Sequence, residues 1–256
     1  MAGDVMHHWI LVLDVENFSS RRDPVQRRVR AAMYRALDGA CDRAGLSPGS
    51  RTTEDRGDGA LVMVGPEVSP LLLVGPLMRE LDEELLQHAE QANEEHALRL
   101  RVALHQGPAG RDGHGWSGDA VNTAFRLVDA PPLREVLTAA TASRMVLAVS
   151  DGLYRDVVRH AHRGVDPASF LPFEFTAKHD RALKGWITAP GYPAPPGLRP
   201  AGDAAGDAPA RDRGGAGGLL DRDPAPRVTQ SAETVQGDMV AGDKNQTVRT
   251  SGDVRL

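Results

Sequence analysis

The aromatic side chains of this chain are confined to its first three quarters, which limits where a core can form. The 256-residue sequence holds eleven Phe, Trp and Tyr residues, and every one lies at or before Tyr192. The last 64 residues therefore contain little apolar surface that could offset the entropy cost of ordering them. We expect one folded domain over residues 1–190 and no independent core after it.

Two segments of different composition follow the predicted domain. Residues 191–227 hold fifteen Gly or Pro and eight Ala, which predicts a flexible, disordered linker. Residues 228–256 form a short Gly-Asp/Val repeat tail, in which VQGD (235–238), VAGD (240–243) and TSGD (250–253) recur. Such a tail is either a small β element that recruits a protein partner or a disordered polar segment. The sequence leaves both open.

Charge and cysteine content exclude several functional classes. The net charge of −5 argues against a chain built to coat nucleic acid or an anionic membrane. The single cysteine, Cys41, excludes a disulfide framework and a multi-cysteine metal site. No apolar run approaches the roughly 20 residues of a membrane helix, and residues 1–8 show no signal-peptide pattern. We expect a soluble cytoplasmic protein with no nucleic-acid or membrane partner.

Apolar periodicity in the first 190 residues predicts strands that alternate with helices. The predicted order, β-α-ββ-α-β-α-β-α-ββ, indicates an α/β fold with one mixed sheet. A glycine-rich loop is predicted over residues 107–118. The predicted helices span residues 23–45, 76–96, 119–129 and 151–160. The predicted strands span residues 9–13, 51–55, 60–64, 98–104, 145–149, 170–177 and 183–189.

Four polar residues are placed where they could act on a phosphorylated ligand. Asp14 ends the first predicted strand and Asp58 lies in the next hairpin turn, so both reach one sheet edge if these strands are neighbours. Two carboxylates can hold Mg²⁺ while substrate phosphates complete the ligand set. A helix cap and a turn former would explain such aspartates equally well. Asn122 and Arg126 share one helix face, which suits a sugar hydroxyl and a phosphate.

Four sequence blocks carry a resemblance to a known family. They are LDVENFS (13–19), EDRGDG (54–59), RVALHQG (101–107) and GDAVNTAFRL (118–127). In this order they resemble the catalytic domain of class III nucleotidyl cyclases, the adenylyl and guanylyl cyclases, and in particular small actinobacterial single-domain homologues. The resemblance covers about residues 9–190. It implies a mixed-sheet, ferredoxin-like (palm-like) fold and conversion of a nucleoside triphosphate to a 3′,5′-cyclic nucleotide and pyrophosphate.

The resemblance also implies how the triphosphate is held. Asp14 and Asp58 match the two aspartates that bind two Mg²⁺ or Mn²⁺ ions in each site of the family. The backbone amides near Phe18 and Ser19 would wrap the β- and γ-phosphates.

Further roles follow from the helix and from the closing hairpin. Asn122 matches the residue that orients the ribose, and Arg126 matches the one that stabilises charge on the α-phosphate. A lysine of the closing hairpin grips the triphosphate in the family; Lys178 fits this position best and Lys184 is the second choice. Family sites lie between two chains, with the aspartates from one chain and the Asn and Arg from the other. A homodimer with two sites is therefore implied.

The positions that read the base leave GTP and ATP open. Glu54 stands where guanylyl cyclases have Glu, and a carboxylate accepts the N1 and N2 hydrogens of guanine; a surface charge on a strand is the alternative. The second base-reading position falls on Gly115, which has no side chain, or on Trp116, which could only stack. Glu16 and Asn17 depart from the family pattern. The alternative function is therefore a catalytically degenerate module that binds nucleotide or dimerises, and recruits a partner through its tail.

Overall fold

A single mixed β-sheet runs through the part of the chain that the computed structural model describes, residues 4–177 and 181–198. Most of its strands fall where the periodicity predicts them. The strands are β1 (Met6–Val15), β2 (Arg51–Asp55), β3 (Gly59–Val64), β4 (Leu100–Asp112), β5 (Gly115–Ser117), β6 (Met145–Ser150), β7 (Leu171–Ala177) and β8 (Arg181–Thr188).

The strands pair in the order β2-β3-β1-β4-β6-β8-β7, and β5 pairs with β4. The β4–β6 pair is parallel and the others are antiparallel. In the described part of the chain, six α-helices lie between the strands: α1 (Asp23–Ala44), α2 (Pro70–Val74), α3 (Pro76–Gln91), α4 (Asp119–Val128), α5 (Pro131–Ala139) and α6 (Asp151–Asp156). The α/β class and the mixed sheet of the sequence prediction are confirmed.

Strand β1 lies inside the sheet and is buried on both faces, as its continuous apolar sequence predicts. Leu11 and Leu13 face a first apolar layer formed with α1 and α3. Ile10 and Val12 face a second apolar layer formed with α4 and α5. Asp14 follows Val12 on the face of the second layer, because side chains alternate along a strand.

Helix α1 buries one stripe of residues at a spacing of four, so the predicted amphipathic helix is confirmed. Pro24 lies at its start, where a missing N–H costs nothing. Burial raises the pKa of the Cys41 thiol to about 11, so this cysteine acts as a small apolar core residue. The stripe consists of Val25, Val29, Met33, Leu37 and Cys41.

The glycine-rich loop predicted over residues 107–118 is largely a hairpin. Strand β4 continues to Asp112 and β5 returns beside it. The reason is the long pairing with β1, which holds β4 extended as far as the Met6–Ala109 pair. Backbone pairing therefore overrides the turn tendency of the glycines in this segment.

Four helices differ from the sequence prediction. The helix predicted over residues 151–160 ends at Asp156, and a short 3-10 helix follows over Val158–His160. The helix predicted over residues 76–96 ends at Gln91, and α2 precedes it. Helix α5 was not predicted, because Pro131 reads as the stop of the preceding helix. In the structure Pro131 instead occupies the first position of α5, where proline is favoured.

The packed domain extends beyond residue 190, where the sequence predicts the linker to start. Tyr192 and Leu198 pack against the second apolar layer, and the Tyr192 hydroxyl accepts a hydrogen bond from the Ala142 N–H at 3.1 Å. The remainder of the predicted linker, the repeat tail 228–256 and Lys178 lie outside the described residues. Within the described residues, no helix combines the length and the apolar character needed to cross a membrane.

Candidate active site

Asp14 and Asp58 meet at one edge of the sheet because β1 and β3 are neighbours. Asp14 pairs in register with Gly59, and the Val15 N–H donates to the Asp58 carbonyl oxygen at 3.0 Å. A Cβ atom at Gly59 would collide with the Leu13 carbonyl oxygen, so this close approach requires glycine. The two aspartates are thus held together by the backbone itself.

Asp14 lies in a partly buried, charged environment. Its side chain is 15% exposed and contacts the Arg101 guanidinium, which comes from the residue opposite it on β4. Burial raises the pKa of Asp14 to about 6; Arg101 opposes this rise, and the nearby Asp58 and Asp129 add to it. This carboxylate therefore lies where a bound cation would relieve both its desolvation and its repulsion.

Helix α4 brings Asn122 to the same place. A cleft of about 460 Å³, here called the α4 cleft, opens between α4 and the β1–β3 edge. Asn122 is exposed to it from the first turns of the helix. Its lining includes Asp14, Arg56, Asp58, Trp116, Asn122, Phe125 and Asp129.

Arg126 lies one helical turn beyond Asn122, as the spacing predicts. It is not among the residues that line the α4 cleft. Its side chain is 29% exposed, and its Nη1 atom lies 3.8 Å from Asp119 Oδ1. That Nη1 atom is buried and makes no hydrogen bond within the described residues.

The segment between β1 and α1, here called the β1–α1 loop (residues 16–22), borders a second cleft of about 370 Å³. Phe18 and Ser19 line it together with both aspartates and Arg101. The Phe18 ring also packs against the first apolar layer and so anchors the loop.

Two departures from the family pattern have a structural explanation in this loop. Asn17 adopts the left-handed conformation, with φ of 54°, in which asparagine substitutes for glycine at low cost. The Glu16 carboxylate accepts a hydrogen bond from Arg99 at 3.0 Å, which gives this extra acidic side chain a partner within the chain. Arg99 also donates to the carbonyl oxygens of Leu137 and Ala140, at the end of α5.

The predicted base-reading residues lie side by side. A Cβ atom on Gly115 would lie 3.1 Å from both carboxylate oxygens of Glu54. The Glu54 carboxylate also accepts a hydrogen bond from Arg56 at 3.0 Å. Trp116 lines the α4 cleft, and its ring packs edge-on against His8.

Of the two lysine candidates, only the second lies in the described residues, and the structure does not bring it to the clefts. Lys184 on β8 pairs with Glu174 of β7 at 2.6 Å. These strands form the sheet edge farthest from β2 and β3.

Four charged residues that line the clefts have no role predicted from the sequence: Arg56, Arg101, Asp129 and Arg134. Arg101 contacts Asp14, and Arg134 pairs with Asp129 at 3.1 Å beside the second cleft. Arg101 belongs to one of the matched sequence blocks, but only the pairing of β1 with β4 shows that it lies opposite Asp14.

A larger cavity, of about 730 Å³, lies elsewhere. It is formed by α1 and the end of α3, and none of the predicted site residues lines it. We therefore do not assign the predicted chemistry to this cavity on the basis of its size.

The position of α4 depends on a close approach to β4, and this gives a first test. A Cβ atom on Gly107 would lie 2.6 Å from the Cβ atom of Ala120 on α4. We expect Gly107→Ala to lower the free energy of unfolding by about 1–3 kcal/mol, measured by urea denaturation. Adding Ala120→Gly should restore the part of the unfolding free energy that is lost through the collision of the two Cβ atoms. Strictly additive effects in this double-mutant cycle would contradict the contact.

Taken together, the sheet order, the two aspartates at one edge and the helix bearing Asn122 and Arg126 define the fold of the class III adenylyl/guanylyl cyclase catalytic domain. The solved structure of the guanylyl cyclase Cya2 has this fold, with a TM-score of 0.52 and 17% identity over 73% of this chain and 94% of that chain. An adenylate/guanylate cyclase/hydrolase from Silicibacter pomeroyi gives a TM-score of 0.54 and 18% identity, over 74% and 100% of the two chains. The chain matches no protein-family model and no curated protein sequence.

Proposed function

We propose that this chain is a nucleotidyl cyclase, a lyase that converts a nucleoside triphosphate to a 3′,5′-cyclic nucleotide and pyrophosphate. The observation that carries the proposal is the meeting of Asp14, Asp58 and Asn122 in one cleft, with Arg126 one helical turn away. The likeness of the fold to solved cyclase structures supports the proposal.

The donor set fits hard divalent cations. Asp14 and Asp58 would hold Mg²⁺ or Mn²⁺, two ions in each site, which would supply positive charge against the triphosphate. Among the described residues, no group of three or more His, Cys, Asp or Glu side chains could hold a metal ion. Substrate phosphates therefore have to complete the ligand set, which ties cation binding to nucleotide binding.

The remaining residues orient the substrate and stabilise charge. The ribose 3′ hydroxyl gives up its proton to solvent water, and its oxygen bonds to the α-phosphorus as the bond to the departing pyrophosphate breaks. Asn122 would orient the ribose by its side-chain amide. Arg126 would donate hydrogen bonds to the α-phosphate oxygens, where negative charge develops. The backbone amides near Phe18 and Ser19 would hold the β- and γ-phosphates.

The proposal includes a homodimer in which the aspartates of one chain act with Asn122 and Arg126 of the other. Within one chain, Asn122 also shares a cleft with Asp14 and Asp58. A site built within one chain is thus the competing arrangement. Lys178, outside the described residues, is proposed to grip the triphosphate.

The function is tested by incubating the purified full-length chain with ATP, GTP, CTP and UTP separately, in Mg²⁺ and in Mn²⁺. We expect one cyclic nucleotide by mass spectrometry, with pyrophosphate released in equal amount. A folded protein that gives no cyclic product from any of the four would contradict the enzyme. It would favour the module that only binds nucleotide or dimerises.

A further inference from the structure

Arg56 lies in the β2–β3 turn and lines the α4 cleft beside Asp58 and Asn122. Its Nη2 atom donates to Glu54 Oε2 at 3.0 Å, and its guanidinium carbon lies 5.2 Å from the centre of the Phe125 ring on α4. The Arg56 side chain is 38% exposed, so part of its guanidinium remains open to a ligand. Arg56 therefore lines the cleft against Phe125 of α4, and it holds the Glu54 carboxylate beside the cleft.

Gly115 lies against the Glu54 carboxylate and brings no side chain to it. Gly115 has φ of 129°, and its backbone lies so close that a Cβ atom would be 3.1 Å from the Glu54 carboxylate oxygens. The Trp116 ring is packed against His8, at 4.6 Å between ring centres. Arg56 thus brings to the Glu54 carboxylate the side-chain donor that Gly115 does not have.

A carboxylate next to a guanidinium complements the edge of guanine. Guanine presents two N–H donors, at N1 and N2, beside the acceptor O6. An ionised carboxylate accepts two hydrogen bonds in parallel, and arginine donates to guanine O6. Adenine presents one amino group and an unprotonated N1, so it would leave one carboxylate oxygen without a donor.

We propose that Arg56 is a base-reading residue, and that it selects guanine together with Glu54. Glu54 accepts the N1 and N2 hydrogens, and Arg56 donates to O6. Arg56 thereby supplies the contact that Gly115 cannot make. This inference rests on the proposed function, because it assumes that the α4 cleft takes the base of the nucleotide substrate.

The pairing also accounts for the charge of the wall. A lone carboxylate near a triphosphate would repel it, whereas the ion pair with Arg56 is neutral overall. The guanidinium has five N–H donors, so its bond to Glu54 leaves others for the base.

Binding of 3′-deoxy nucleotides tests the inference without catalysis, because they lack the attacking oxygen. We measure binding by calorimetry with the full-length chain in Mg²⁺. We expect the Kd of 3′-deoxy-GTP to be lower than that of 3′-deoxy-ATP by about 10-fold or more. Arg56→Met should weaken binding of 3′-deoxy-GTP by about 10-fold to 100-fold and leave 3′-deoxy-ATP unchanged. Arg56→Lys, which keeps one donor, should fall between. Arg79→Met, which removes an exposed arginine from α3, is the matched control.

Each other outcome has a definite meaning. Equal weakening of both nucleotides by Arg56→Met would show that Arg56 acts on the phosphates through its charge, and would overturn the inference. An unchanged preference for 3′-deoxy-GTP would reduce the pair with Glu54 to a surface ion pair, and would also overturn it. Cyclic product formed without any Arg56 effect would leave the proposed function standing. Failure of the unsubstituted chain to bind either nucleotide would reject both.

Discussion

Asp58→Ala is expected to abolish cyclic nucleotide and pyrophosphate formation while leaving the fold intact. Asp58 lies exposed in a tight turn, so the substitution removes little packing. The candidate metal site, in contrast, loses one of its two carboxylates. Because bound cations contribute several kcal/mol of charge stabilisation, we expect a rate loss of about 1,000-fold or more, measured as initial rates of pyrophosphate release.

The matched control is Asp42→Asn, which removes an exposed carboxylate from α1 on the other side of the sheet. It should leave the rate unchanged. Circular dichroism and sedimentation should show the same fold and the same oligomeric state for both variants. If Asp58→Ala still turns over nucleotide, Asp58 is not a metal ligand. The assignment of a metal site to Asp14 and Asp58 would then be wrong.

Arg126→Ala is expected to lower kcat by about 10²–10³, the usual cost of losing one hydrogen-bond donor to a developing charge. The Arg126 side chain is only 29% exposed and its Nη1 atom lies 3.8 Å from Asp119 Oδ1, so circular dichroism must first show that the substituted chain keeps its fold. Single-turnover rates should fall while nucleotide binding changes little. Arg126→Lys should recover only part of the rate, because it keeps the charge and loses the planar fork. A rate equal to that of the unsubstituted chain would exclude Arg126 from catalysis.

Mixing these two inactive variants tells which chain supplies which residue. If Asp58 of one chain acts with Arg126 of the other, each mixed dimer keeps one intact site. An equal mixture of Asp58→Ala and Arg126→Ala chains should then regain about a quarter of the unsubstituted activity. If the site lies within one chain, every site carries one of the substitutions and the mixture stays inactive.

The sequence predicts the strands and the longer helices well, because these carry clear apolar periods. The sequence prediction fails where one residue is compatible with two kinds of local structure. Pro131 reads as the end of one helix and is the start of another, and Gly107 reads as a loop residue although it lies in an extended strand. In both cases the outcome depends on packing between distant segments, which a local pattern does not contain.

The same limit applies to the candidate site. The blocks that contain Asp14, Asp58, Asn122 and Arg126 are visible in the sequence, and the structure brings three of them to one cleft. The contact of Arg101 with Asp14 depends on how β4 pairs with β1. The pairing of these strands brings Arg101 next to Asp14, although the two residues are 87 positions apart in the chain.

The contacts of Arg99 have a consequence for how the β1–α1 loop can open. The guanidinium binds Glu16 and the end of α5 at once, and the Glu16 N–H donates to the Arg99 carbonyl oxygen at 3.0 Å. The loop therefore cannot swing out as an independent lid without breaking these bonds. In hydrogen–deuterium exchange, the start of the loop and the last turn of α5 should gain deuterium at one common rate, as a single cooperative unit. In Arg99→Met, the loop and the last turn of α5 should exchange at two different rates.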